Sequence, residues 1–139
     1  MSSGYTGIYL PIITPLLNGE VDYGSYEKMV EHYIGKGING IIPLGTTGES
    51  PTVSQAEYHN IAKTIIDLVK GRIPVFFGVS GNDTLSLIKK LESFEDYDIE
   101  GYLIASPYYN RPSQKGILKH YQEIANSISK KIMRKRSID

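Results

Sequence analysis

With 139 residues, 40% of them hydrophobic and 22% charged, the chain has the makings of one domain with a buried core and is too short for two. Its 15 basic side chains balance 15 acidic ones, and it has no cysteine, which excludes disulfides, thiolate metal sites and cysteine nucleophiles and fits a reducing, cytoplasmic setting. Met1-Ser2-Ser3-Gly4-Tyr5 lacks the basic and apolar regions of a secretory leader, and no run approaches the roughly 20 apolar residues of a membrane helix, so no membrane association is expected.

Charge is unevenly spread. Lys130, Lys131, Arg134, Lys135 and Arg136 stand against Asp139 in the last ten residues, which leaves a basic tail on an acidic body. The tail carries no aromatic residue on which a base could stack, so nucleic-acid binding is not expected.

In chain order, Gly7 to Pro15 is a short apolar, β-branched run closed by proline and reads as a first strand. Asn18-Gly19 turns the chain. Tyr26, Met29, Val30, Tyr33 and Ile34 then recur at helical spacing until Gly35 and Gly37 stop them. Ile38 to Gly45 reads as a second strand. Ser54-Gln55-Ala56-Glu57 has capping-box spacing and opens a helix with Tyr58, Ile61, Ala62, Ile65 and Val69 on one face, ended by Gly71. Ile73 to Val79 reads as a third strand, and Asn82-Asp83-Thr84 caps a helix carrying Leu87, Ile88, Leu91 and Phe94. Ile99 to Ala105 is a fourth strand, followed by a helix on Ile117, Tyr121, Ile124, Ala125 and Ile128.

Continuous apolar strands between amphipathic helices predict an α/β fold on a parallel sheet. Two architectures compete, a flavodoxin-like sandwich that 139 residues could complete and part of a (β/α)8 barrel, for which roughly 250 residues are typical. A sandwich wants a fifth strand after Ser129, and the charge of Lys130 to Arg136 argues against a buried one there.

Both architectures place ligands at the carboxyl ends of the strands. Those ends read Thr14-Pro15, Gly45-Thr46-Thr47-Gly48-Glu49-Ser50, Gly78-Val79-Ser80-Gly81-Asn82 and Ser106-Pro107-Tyr108-Tyr109-Asn110-Arg111-Pro112. Gly45 and Gly48 allow a tight turn with exposed amides, and Thr46 and Thr47 add hydroxyls: a cradle for a carboxylate, or a turn that only caps the strand. Of Tyr108 and Tyr109, one can pack while the other presents a phenol as a proton carrier, or both can serve an interface or core packing. Glu49 is either an acid–base group or a partner for backbone amides. His32, His59 and His120 fall on helices without a second ligand at metal spacing, so they read as surface or boundary residues and no metal site is expected. Lys28, Lys36, Lys63, Lys70, Lys89, Lys90, Lys115 and Lys119 fall on polar helix faces or near helix ends, where none is expected to be desolvated.

The Gly45-Thr46-Thr47-Gly48-Glu49-Ser50 and Ser106-Pro107-Tyr108-Tyr109-Asn110-Arg111-Pro112-Ser113-Gln114 loops, with Gly71-Arg72-Ile73-Pro74-Val75 between them, closely resemble the 4-hydroxy-tetrahydrodipicolinate synthase family. It belongs to the pyruvate-dependent, class I aldolase-like lyases that include N-acetylneuraminate lyase. The resemblance runs from about Tyr5 to about Ser129. It implies the first four β/α units of a (β/α)8 barrel over residues 1–129, with 130–139 as a basic tail foreign to the family.

What the resemblance implies in function is condensation of pyruvate with L-aspartate 4-semialdehyde, in lysine and diaminopimelate synthesis, through a lysine Schiff base and without a cofactor. On the matching positions Thr46 belongs to a proton relay, Thr47 binds the pyruvate carboxylate, and Tyr109 is the relay tyrosine that enters a neighbouring subunit's site. Ser50, Asn82 and Tyr108 match the site where many members bind lysine; Gln55, Tyr58 and Ser86 depart from the His, His and Glu often found there. The family's next strand carries a Tyr-Asn-Val-Pro-Ser-Arg-type segment, and the Schiff-base lysine lies on the strand after it. Here Arg134-Lys135-Arg136-Ser137-Ile138-Asp139 replaces that segment, which reads as a frameshift or premature stop, and no residue of this chain matches the Schiff-base lysine. The expected product is inactive alone, a homo-oligomer or a remnant that docks on a full-length paralogous subunit.

A half barrel leaves open sheet edges and uncovered apolar surface. The purified 139-residue chain is therefore expected to self-associate in analytical ultracentrifugation; a monodisperse monomer with cooperative thermal unfolding would refute that.

Overall fold

The computed structural model describes residues 4–135. Strands β1 (Tyr9–Pro11), β4 (Gly40–Ile42), β5 (Phe76–Gly78), β6 (Gly101–Ala105) and β7 (Lys131–Lys135) alternate with helices α1 (Tyr23–Gly35), α2 (Gln55–Val69), α3 (Thr84–Glu92) and α4 (Gln114–Ser127). A two-stranded antiparallel hairpin, β2 (Leu16–Leu17) and β3 (Glu20–Val21), lies between β1 and α1. Asn18 at φ 53° and Gly19 at φ 83° form its two-residue turn, positive φ at both positions being what such a tight turn demands.

Local chemistry sets the helix starts. Asp22 caps α1 by accepting from the Ser25 amide at 3.1 Å, and Asp83 and Ser113 cap α3 and α4 in the same way. The capping box forms as expected: Ser54 Oγ accepts from the Glu57 amide at 3.3 Å, and the Glu57 carboxylate accepts from the Ser54 amide at 3.0 Å. Helix α2 ends on Lys70 in the left-handed region, with Gly71 next.

The parallel strands lie side by side in chain order. Tyr9 pairs with Gly40, Phe76 with Gly101, and Gly101 with Lys131. Strands β4 and β5 join through the Ile41–Val75 bridge, with the Gly78 amide donating to Pro43 O at 2.9 Å. This order decides between the two expected architectures. A flavodoxin-like sheet reverses direction at its first strand and carries helices on both faces, whereas right-handed crossovers that never reverse place every helix on one side, as along the arc of a barrel.

Packing agrees with that arc. Ile41, Phe77, Tyr102 and Ile104 point to one side and share a core with Val30 of α1, Ile61 and Ile65 of α2, Leu87 and Leu91 of α3, and Ile124 of α4. The alternate residues face the other way. There Phe76 packs edge-on against Tyr9 and Tyr5, with ring centroids 5.8 and 5.7 Å apart.

One expectation is corrected. The charged segment after Ser129 does contain a strand, because five consecutive residues of it, Lys131–Lys135, register with Gly101–Ala105 of β6. Charge is tolerated because β7 is an edge strand with partial burial at Ile132 and Met133 and exposure at Lys131, Arg134 and Lys135. Arg134 lies over the Tyr121 ring at 5.9 Å on the helix side. Arg136 to Asp139, the end of the expected tail, lie outside the described residues.

At Gly78 the backbone of β5 meets the loop after β4 so closely that a Cβ would lie 2.4 Å from Leu44 O and Gly45 Cα. Gly78→Ala is expected to cost about 1–3 kcal/mol in urea unfolding. Gly35→Ala, whose Cβ meets nothing within 4 Å, should leave stability unchanged or slightly raised in the same assay.

Candidate active site

The candidate residues sit where the carboxyl ends of β4, β5, β6 and β7 meet their following loops. After β4 the chain leaves extended geometry at Leu44, φ 60°, and forms two short 3₁₀ turns, Thr46–Gly48 and Ser50–Thr52. Glu49, at φ 53°, is the exposed joint between them.

Three buried hydroxyls hold this loop. Thr14 Oγ1 donates to Gly48 O at 2.6 Å and accepts from the Tyr26 phenol at 3.1 Å. Tyr58, from α2, donates to Gly78 O at 2.7 Å and leans on Leu44 O at 3.3 Å, which ties β5 to the loop. Burial pushes the Tyr26 and Tyr58 phenols up to about 12, so both stay protonated as donors at neutral pH.

Beside this loop lies a cleft of about 710 Å³, lined by residues that include Thr46, Ser50, Tyr58, Ser80, Lys90, Tyr108 and Lys135 and, among the described residues, by no aspartate or glutamate. Thr46 Oγ1 accepts from Lys135 Nζ at 2.8 Å, so the strand absent from the sequence reading brings a cation to the first candidate. Lys135 reaches it because β7 alternates: it stands in register with Ala105, which also lines the cleft. Ser80 Oγ accepts from the Ala105 amide at 3.0 Å.

Not every candidate converges. Thr47 is exposed on the same turn but is not among the lining residues, and neither are Glu49, Asn82 and Tyr109. Asn82 supports the aromatic loop instead: its Nδ2 donates to Tyr108 O at 3.1 Å, and Asn110 Nδ2 donates to Asn82 O at 3.0 Å. Tyr108 lines the cleft, while Tyr109, at φ 73°, is 93% exposed. The two tyrosines therefore do point to different surroundings.

Two further expectations are corrected. Lys90 is half-buried, not solvated: its Nζ lies 3.8 Å over the Tyr58 ring, and burial pulls its pKa down. The signal for this was its place on α3, between Leu87 and Leu91 on the buried stripe. His120 is buried rather than at the boundary, its Nδ1 hydrogen-bonded to Thr84 Oγ1 at 2.8 Å and its Nε2 without a partner among the described residues. Burial lowers its pKa and favours the neutral ring. It joins α4 to α3 and takes no part in the cleft.

A cleft at the strand ends lined by hydroxyls and lysines suits a small carboxylate. The model of the dihydrodipicolinate synthetase family matches residues 4–133. The chain belongs to this family. It is similar to 4-hydroxy-tetrahydrodipicolinate synthase 2 of Clostridium acetobutylicum, 42% identical over 123 residues, which are 88% of this chain and 43% of the relative. The solved 4-hydroxy-tetrahydrodipicolinate synthase of Methylacidiphilum fumariolicum superposes with a TM-score of 0.90 at 41% identity, over 94% of this chain and 43% of its own. Dihydrodipicolinate synthase of Acinetobacter baumannii, solved in complex with pyruvate, gives 0.89 at 37% identity, over 92% and 44%. The chain thus spans less than half the length of these relatives, and the family's barrel is the architecture of which its strand arc is part. Among the described residues no helix is long and apolar enough to cross a membrane.

Phenols that ionise later in the folded chain than in the unfolded one, where the ordinary value is 10.0, give stability that is full below pH 10 and is lost as pH rises towards 12. Chemical denaturation at pH 9 to 12 is expected to show that decline. Tyr58→Phe should flatten it and, by leaving buried carbonyls without a donor, lower stability at pH 7 by about 1–3 kcal/mol.

Proposed function

We propose that this chain forms the pyruvate side of a 4-hydroxy-tetrahydrodipicolinate synthase site, the site of cytoplasmic condensation of pyruvate with L-aspartate 4-semialdehyde in lysine and diaminopimelate synthesis. The observation that carries the reading is the Thr46 hydroxyl paired with the Lys135 ammonium in a cleft that no carboxylate of the described residues lines. A 2-oxoacid carboxylate entering there meets a fixed cation and hydroxyl donors, with Thr47 on the same turn to complete its shell. The turn is held from behind by Thr14, Tyr26 and Tyr58, so little ordering remains to oppose binding.

Proton transfer is a different matter. In the proposed relay Thr46 exchanges a proton with phenols, one from β7 and one, Tyr109, from a neighbouring chain. Strand β7 carries no tyrosine, and the group that meets Thr46 is an ammonium, which donates but has no lone pair to accept. A Schiff base needs an unprotonated amine to attack the pyruvate carbonyl and expel its oxygen as water, and we assign no residue of this chain to that step. The 139 residues by themselves are therefore read as a pyruvate-binding, non-condensing unit whose departure from the family pattern lies at Arg134–Asp139.

A second reading rests on Tyr109. Its phenol is 93% exposed and lies outside its own chain's cleft, which suits a side chain delivered to another subunit. The partner is a second copy of this chain or a full-length paralogous synthase.

Calorimetric titration of the chain with pyruvate is expected to show binding that Thr46→Val weakens by about tenfold or more. Borohydride added with pyruvate is expected to leave the intact mass unchanged. Unaltered binding by the Thr46 variant overturns the site, and a reduced adduct on Lys135 overturns the non-condensing assignment. Co-expression of the tagged chain with a full-length synthase tests the second reading, which fails if no full-length subunit is retained.

A further inference from the structure

The same cleft contains a second grouping that the pyruvate reading does not use. Ser50, Pro51, Val53 and Tyr108 line it together with Tyr58 and Lys90. The Tyr58 phenol donates to Gly78 O at 2.7 Å, and that bond holds the Tyr58 ring in place. Its face therefore offers a fixed seat for the Lys90 ammonium, 3.8 Å from the ring centroid. The ion pairs among the described residues are Arg72–Glu31 and Lys131–Glu100, so Lys90 has an aromatic seat but no carboxylate opposite it.

A half-buried ammonium has lost part of its hydration, and a ring face returns only a fraction of that free energy. A counter-ion returns far more. Two hydroxyl-bearing side chains, Ser50 and Tyr108, stand in the same cleft as donors for its remaining oxygens, and among the described residues no acidic group lines the cleft to repel it. The resemblance assigned Ser50 and Tyr108 to a bound lysine, but the charge found beside them has the sign that turns a cationic ligand away.

We propose that the Lys90, Tyr58, Ser50 and Tyr108 grouping is a binding site for a small carboxylate anion, separate from the Thr46–Lys135 end of the cleft. Lys90 supplies the charge, Tyr58 holds Lys90 in place, and the Ser50 and Tyr108 hydroxyls orient the ligand. The proposal stands without the pyruvate reading, since it uses neither Thr46 nor Lys135. Independent binding of the two ligands tells the sites apart.

The test is calorimetric titration of the full 139-residue chain with malonate at constant ionic strength. Saturable binding is expected, weakened about tenfold or more by Lys90→Gln, the size of effect that loss of a charged hydrogen-bond partner gives. Lys90→Met, which keeps the apolar stem over Tyr58, should give the same loss, and Lys90→Arg should hold affinity within about threefold. Lys89→Gln, the exposed neighbour, serves as the control for net charge and should leave malonate affinity unchanged. Saturating pyruvate should also leave it unchanged, and L-lysine should bind more weakly than malonate. Circular dichroism of each variant confirms that it is folded. The proposal is overturned if malonate does not bind, if Lys90→Gln and Lys90→Met bind it as tightly as the parent, if pyruvate competes with it, or if L-lysine binds at least as tightly.

Discussion

Everything at the strand ends depends on the contact between Gly78 and the backbone of Leu44 and Gly45. With no side chain at Gly78, β5 comes close enough for its amide to bond Pro43 O, and the Tyr58 phenol then bonds the Gly78 carbonyl at 2.7 Å. That one tyrosine takes part in three levels of organisation. It belongs to the buried stripe of α2, it joins strand β5 to the β4 loop, and its ring seats Lys90 in the cleft. A buried hydroxyl with two carbonyl partners is costly to disturb, since any shift leaves polar groups unpaired away from water.

The cleft follows from this anchoring. Because the turn from Gly45 to Gly48 is fixed by Thr14 below and Tyr58 beside it, the Thr46 side chain projects from a rigid base. Strand β7 then delivers Lys135 to it through simple alternation, Lys131, Met133 and Lys135 all facing away from the helices. Lys131 uses the same face four residues' rise lower, where it meets Glu100 and Tyr5. The two lysines of one strand thus have opposite settings, one closed by a carboxylate and one open towards a cavity.

Much of this was legible in the sequence. Two helix starts were, because Ser54 and Asp83 act through bonds two or three residues long. The loops carrying Thr46, Ser50 and Tyr108 were, because glycine, proline and hydroxyl residues cluster where strands end. Strand β7 was not. Its composition argues for solvent, and only the hydrogen-bond ladder offered by β6, a partner thirty residues away, makes it a strand. Lys90 escaped for a similar reason: a lysine beside Leu91 reads as the polar edge of a helix until the neighbouring helix is seen to place a ring under its ammonium. The choice between sandwich and barrel was also invisible in periodicity, since strand order is a property of pairing and not of any segment.

The edges of the sheet differ in kind. At β7 three of five residues are cations, at positions 131, 134 and 135, and mutual repulsion discourages a second copy of that strand from pairing there. At β1 the flanking Ile8 and Ile13 are 63% and 54% exposed and carry no charge. Association through strand edges is thereby polarised: one edge is adhesive and the other is guarded. A second strand approaching the β1 edge would meet apolar side chains, whereas one approaching β7 would meet like charges, so the two edges discriminate between incoming strands by their charge.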